Sequence, residues 1–128
     1  MSYHFSKTLH VPFDAAVAKA TEALKREGFG VLTEIDVQKT LKQKIGVDFR
    51  KYRILGACNP GLAHRALQAE DKIGTMLPCN VIVQEHPDGK VEVSAIDPIA
   101  SMQAVANPAL AAVGTEVQGK LRRVIEEL

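Results

Sequence analysis

Two short stretches of the chain carry Cys-Asn: Gly56-Ala57-Cys58-Asn59-Pro60 and Leu77-Pro78-Cys79-Asn80-Val81. A thiol becomes a nucleophile or a metal ligand once it loses its proton, and its surroundings decide how readily that happens. Cys58 directly precedes Asn59-Pro60, which reads as a helix N-cap followed by proline at the first helical position. The positive end of that helix dipole would favour a thiolate on Cys58. Cys79 has the opposite prospect, because the hairpin register derived below places it across from Asp97, whose charge disfavours a second one. Free cysteines also serve simply as small buried hydrophobes. The two show no Cys-x-x-Cys and no zinc-ligand spacing, so they are expected as thiols, with no metal and no cofactor.

Glu70 is the other side chain placed to do chemistry. On a helix from Pro60 to Ile73 it falls near the centre of an apolar stripe of Leu62, Ala63, Ala66, Leu67 and Ile73. A carboxylate there needs a partner, a proton or water, and in a cavity wall it becomes an acid–base group; the bland alternative is a side chain reaching solvent from the last turn. The candidate ligand-binding residues are therefore Cys58, Asn59, Glu70, Cys79, Asn80 and Asp97. No catalytic residue is assigned. His64 points away from the stripe with Gln68 and Asp71, and His4, His10 and His86 fall on wet strand faces or turns.

These residues need a scaffold. Tyr3, Phe5, Leu9 and Val11 alternate with polar residues as a half-buried strand does, and Lys7 on the inner face marks an edge strand or one that leaves the core midway. Phe13, Val17, Ala20 and Leu24 then form a helical stripe ending at Gly28. Phe29, Val31, Thr33, Ile35 and Val37 predict a second strand. Gln38 to Ile45 predicts a short polar helix, with Leu41 and Ile45 as its contacts, stopped by Gly46. Tyr52 to Cys58 alternates as a third strand. Pro87-Asp88-Gly89 suits a three-residue hairpin loop, which sets Val83 opposite Val93, Val81 opposite Ala95 and Gln84 opposite Glu92. Asn59-Pro60, Asp97-Pro98 and Asn107-Pro108 each open a helix. The last of these carries Leu110, Val113, Val117, Leu121, Val124 and Leu128 at helical spacing, with Gly114 and Gly119 marking close approach to a neighbour. The order predicts an α+β fold: an antiparallel sheet with helices packed on one face, including a long C-terminal helix.

The chain has 128 residues, 46% hydrophobic and 24% charged, with net charge +1. That predicts one domain spanning 1–128 and removes the whole-chain electrostatic argument for nucleic acid or a membrane surface. The start lacks a signal-peptide pattern, and no apolar run approaches a membrane span, so a cytoplasmic protein is expected. Lys39, Lys42, Lys44, Arg50, Lys51 and Arg53 cluster around a single acid, Asp48, with Phe49 and Tyr52 nearby. There is no phosphate loop, dinucleotide glycine pattern or nucleophile elbow, and such runs are usually solvated, so nucleic acid is not an expected partner.

At Cys58-Asn59-Pro60, Leu77-Pro78-Cys79-Asn80-Val81 and the Asp88-Gly89 hairpin, the chain resembles the bacterial and archaeal domain of unknown function 302 family over nearly its whole length. The resemblance implies a curved antiparallel sheet with helices on it, similar to the TATA-binding-protein-like fold, and a homodimer. It implies no activity and no catalytic residues, and sharing a fold with a DNA binder is no warrant for DNA binding. The expected function is binding of a small ligand in a pocket between sheet and helices. The alternatives are a thiol-dependent or metal-binding protein using Cys58 and Cys79, and a homo-oligomeric assembly module without a ligand.

Overall fold

A computed structural model describes residues 2–128. Its strands are β1 (His4–Leu9), β2 (Gly30–Asp36), β3 (Tyr52–Cys58), β4 (Cys79–Glu85) and β5 (Val91–Ile96). They form one antiparallel sheet in the order β1-β5-β4-β3-β2. The helices are α1 (Phe13–Arg26), α2 (Val37–Ile45), α3 (Pro60–Ala69), α4 (Pro98–Ser101) and α5 (Pro108–Glu126), with a 3₁₀ turn at Asp71–Met76. The fold is α+β, as the patterning predicts.

The β4–β5 hairpin has the expected register, Val81 opposite Ala95, Val83 opposite Val93 and Gln84 opposite Glu92. Its turn closes through Gly89 N–H donating to the His86 carbonyl at 2.9 Å, with Gly89 at φ 86°, a conformation that favours glycine. Rows of inward side chains run across the sheet: Phe5, Ala95, Val81 and Leu55 in one, Lys7, Val93, Val83 and Arg53 in the next. Leu24, Ala20, Leu110, Leu121 and Val124 bury against this face, giving one apolar core. Lys7 belongs to an edge strand, and its ammonium leaves the core by donating to the carbonyls of Glu126 and Leu128 at the C-terminal end of α5, where the helix dipole favours a cation.

Three local expectations are corrected. The alternation of β2 breaks at a register shift between Val31 and Thr33, so Val31 pairs with Ala57 while Thr33 pairs with Gly56, on opposite faces, and Leu32 is exposed. On α2, Ile45 is 66% exposed and no residue of the helix is buried; its start is fixed instead by the Asp36 side chain accepting from Lys39 N–H at 2.9 Å. The helix expected to reach Ile73 ends at Ala69. Asn107 Nδ2 donates to the Ala69 carbonyl at 2.8 Å, occupying the acceptor that a continuing helix would offer Ile73, and Ile73 N–H turns to the Glu70 carbonyl at 3.1 Å.

Candidate functional site

The sheet and helices leave a cavity of about 320 Å³ at the end of the sheet where β3 stops and β4 starts. Ala57, Leu62, Ala66, Met102, Val113 and Val117 are among its walls. Each strand end reaches it because antiparallel neighbours bring Leu32, Cys58 and Cys79 to the same end of the sheet, while α3, α4 and α5 close the other side. Among the described residues, no Asp, Glu, Lys, Arg or His side chain lines it. Thr33, Asn59 and the two cysteines supply its side-chain heteroatoms together with the Met102 thioether.

Of the residues expected to form a site, Cys58, Asn59 and Cys79 line this cavity. Cys58 is half-buried and Cys79 buried, and both are free thiols. Burial pushes the Cys79 thiol up to about 11, helped by the nearby Cys58. The neighbour expected to do this was Asp97, but its carboxylate is turned elsewhere: it caps α4 by accepting from Ile99 N–H at 3.0 Å and accepts from Gln118 Nε2 at 3.0 and 3.2 Å. Asn59 is also largely committed. Its Oδ1 accepts from Leu62 N–H at 3.3 Å as the α3 cap, and its Nδ2 reaches the Glu27 carbonyl at 3.5 Å.

The structure does not bring Glu70, Asn80 and Asp97 into the cavity. Glu70 sits past the end of α3 in extended backbone, half-buried, with the Asn107 amide 3.5 Å from its carboxylate. The apolar stripe that would have centred it no longer exists beyond Ala69. Asn80 pairs with Gly56 and follows the alternation of β4 to the other face, where it joins Tyr52, Gln84 and Glu92 around a shallow concavity. The sequence reading also missed Phe29, Leu32, Thr33 and Met102. The helical stripes through Leu62, Ala63, Ala66 and Leu67 and through Val113 and Val117 were visible beforehand, and they signal burial without saying that a void lies beside them.

Three of the six basic residues in the cluster around α2 and β3 are internally engaged. Lys42 Nζ lies 2.9 Å from Asp48, Arg53 lies 2.7 Å from Glu34 and 3.8 Å from Asp36, and Arg50 stacks over Phe49 while donating to Gln84 at 3.0 Å. No helix is long and apolar enough to cross a membrane.

The sequence profile described as "Domain of unknown function DUF302" matches residues 5–128. Among solved structures, the chain is similar to the uncharacterized conserved protein DUF302 from Bacillus stearothermophilus, with a TM-score of 0.91, 28% identity and coverage of 98% of both chains. No curated protein matches the chain.

Proposed function

The chain belongs to the domain of unknown function DUF302 family, and on the geometry of its cavity we propose that it binds a small, uncharged, largely apolar molecule there. One observation carries this reading: a void of about 320 Å³ walled without a single charged side chain among the described residues. An apolar void of about 150 Å³ accepts benzene, so this one has room for a bicyclic ring system or a medium-length hydrocarbon chain. A charged ligand would lose its hydration and gain no partner charge from these walls. Thr33 Oγ1 and the thiols could orient one polar group of the guest, the usual source of specificity in a mostly apolar pocket. Cys58, Asn59 and Cys79 remain the proposed contacts from the sequence; Glu70, Asn80 and Asp97 are withdrawn from the set because they lie outside the cavity.

The test uses the purified protein and the neutral fluorophore N-phenyl-1-naphthylamine. Saturable binding by the parent, at least about tenfold weaker in Ala63→Phe because the new ring fills the void, supports the proposal. Equal binding by parent and variant, with the variant still folded by circular dichroism, overturns it. Native mass spectrometry of protein taken from cells then identifies any retained molecule.

A second reading, an assembly module, draws on the other face of the sheet. Ile35, Ile54 and Ile82 pair in one row there, and Ile35 is 47% exposed. Apolar surface of this kind suits contact with a second copy. Sedimentation of the parent and Ile54→Lys distinguishes a dimer held by this face from a monomer.

A further inference from the structure

We propose that a trough on the open face of the sheet binds a neutral, linear saccharide of at least two sugar rings. The proposal does not rest on the apolar-ligand reading, because the trough side chains alternate away from the core residues Val81, Val83, Val93 and Ala95. Strand register builds the trough, whose volume is about 360 Å³. Tyr52, Gln84 and Glu92 are successive partners across β3, β4 and β5 and form one wall. Asn80 and the paired Ile96 and His4 form the other. Between them runs a row of shorter side chains, in which Ile82 pairs with Ser94 as the floor. From strand spacing, the backbones of Asn80 and Gln84 stand roughly 13 Å apart, and the trough runs roughly 14 Å from β3 to β1.

The polar groups suit hydroxyls rather than ions. Among the described residues, Glu92 is the one Asp, Glu, Lys or Arg side chain lining the trough, and it already faces His86 Nε2 at 3.1 Å. A phosphate-bearing chain finds no Lys or Arg in these walls to replace its counterions. The Asn80 and Gln84 amides each carry a donor and an acceptor. Arg50 donates to Gln84 Oε1 at 3.0 Å, which turns the Gln84 NH₂ toward Glu92, at a long 3.5 Å. On the floor, Ser94 is 9% exposed, the one buried polar side chain among the described residues. Its Oγ lies 2.7 Å from Ser6 Oγ, which lies 2.7 Å from His4 Nδ1. Hydroxyl protons in such a chain can point either way, so the floor can donate to a guest or accept from it. A sugar hydroxyl offers both roles in return. The apolar C–H faces of sugar rings match Ile82, Ile96 and the Tyr52 ring. That ring is held by Phe49, with centroids 6.2 Å apart, and by Arg50 at 5.5 Å. A single sugar ring would leave one of the two amide ends without a partner, so the ligand has at least two.

The experiment titrates isotope-labelled protein with cellobiose, lactose and maltose at millimolar concentrations and follows the backbone amides by NMR. At least one sugar should saturably shift the amides of Asn80, Ile82, Gln84, Glu92 and Ser94. Asn80→Ala and Gln84→Ala should each weaken that sugar by about tenfold. Ala63→Phe, which fills the apolar cavity, should bind it as the parent does, so either idea can fail alone. No saturable shift with any of the three sugars overturns the proposal, and so does parent-like binding by the Asn80→Ala/Gln84→Ala double variant. A thymidine oligonucleotide that shifts these amides where the sugars do not overturns it in favour of nucleic acid. Amides of this face that move with protein concentration, while no sugar reverses the change, overturn it in favour of a second copy. Should a variant not fold, nuclear Overhauser contacts between the sugar and the Ile82 and Ile96 methyls of the parent decide the matter: their presence supports the site, and their absence overturns it.

Discussion

The Cys79 thiol holds its proton far into the alkaline range because the buried position offers a thiolate little solvation. The folded value of about 11 lies above the reference 9.0, so the native state binds this proton more tightly than the unfolded chain does. The resulting stabilisation is fully present below pH 9.0 and is lost as pH rises through about 11. Urea unfolding across that window should show the parent losing on the order of 2 kcal/mol more than Cys79→Ala. At this scale the cysteine pair was legible in the sequence, since both lie at strand ends set by visible patterning. Asn80 was not placed, because it sits next to Cys79 in sequence yet alternation sends it to the opposite face. Asp97 lies outside the cavity for a different reason: capping of α4 and the Gln118 amide absorb the carboxylate that was expected to face Cys79.

Each of the three Asx-Pro helix starts does two jobs, of which only one is local. Asn59 caps α3 and ties to the Glu27 carbonyl just past α1; Asp97 caps α4 and holds Gln118 of α5; Asn107 caps α5 and takes the Ala69 carbonyl at the end of α3. The cap itself can be read from an Asx-Pro pair, while the second bond depends on which carbonyl or amide the fold delivers. Asn107→Asp separates the two jobs. It keeps the acceptor for Ala109 N–H but puts an oxygen where an N–H met the Ala69 carbonyl, beside Glu70. Chemical denaturation should show a loss of about 1–3 kcal/mol, more than a surface Asn→Asp change elsewhere.

The two glycines inside α5 divide in the same way. A methyl at Gly114 would lie 3.1 Å from Ile99 Cδ1 of α4, so the close approach anticipated there is real and its neighbour is a helix, not the sheet. At Gly119 the nearest group is the end of the Arg123 side chain at 3.7 Å, which can move. Gly119→Ala should therefore stabilise the protein by about 0.5–1 kcal/mol through helix propensity, read as a higher melting temperature. Gly114→Ala should gain less, because Ile99 must shift.

For the molecule as a whole, occupancy of the cavity is linked to stability, since the void exists only when the sheet end and α3, α4 and α5 are assembled. An apolar guest supplied at 100 times its dissociation constant should raise the unfolding free energy by about 2.7 kcal/mol, visible as a concentration-dependent melting temperature. At the same guest concentration Ala63→Phe should cut that gain to about half or less.

The sequence by itself determined the three Asx-Pro helix starts and the β4–β5 register, because proline and glycine geometry, capping and period-two patterning act within a few residues. Tertiary structure alone decided the strand order β1-β5-β4-β3-β2, the early end of α3 and the walls of the cavity. Those depend on residues far apart in the chain coming together, as Asn107 bonds Ala69 and as Val117 and Cys58 line one hollow. A hydrophobic stripe records that a face is buried; it carries no record of how completely its partners fill the space against it.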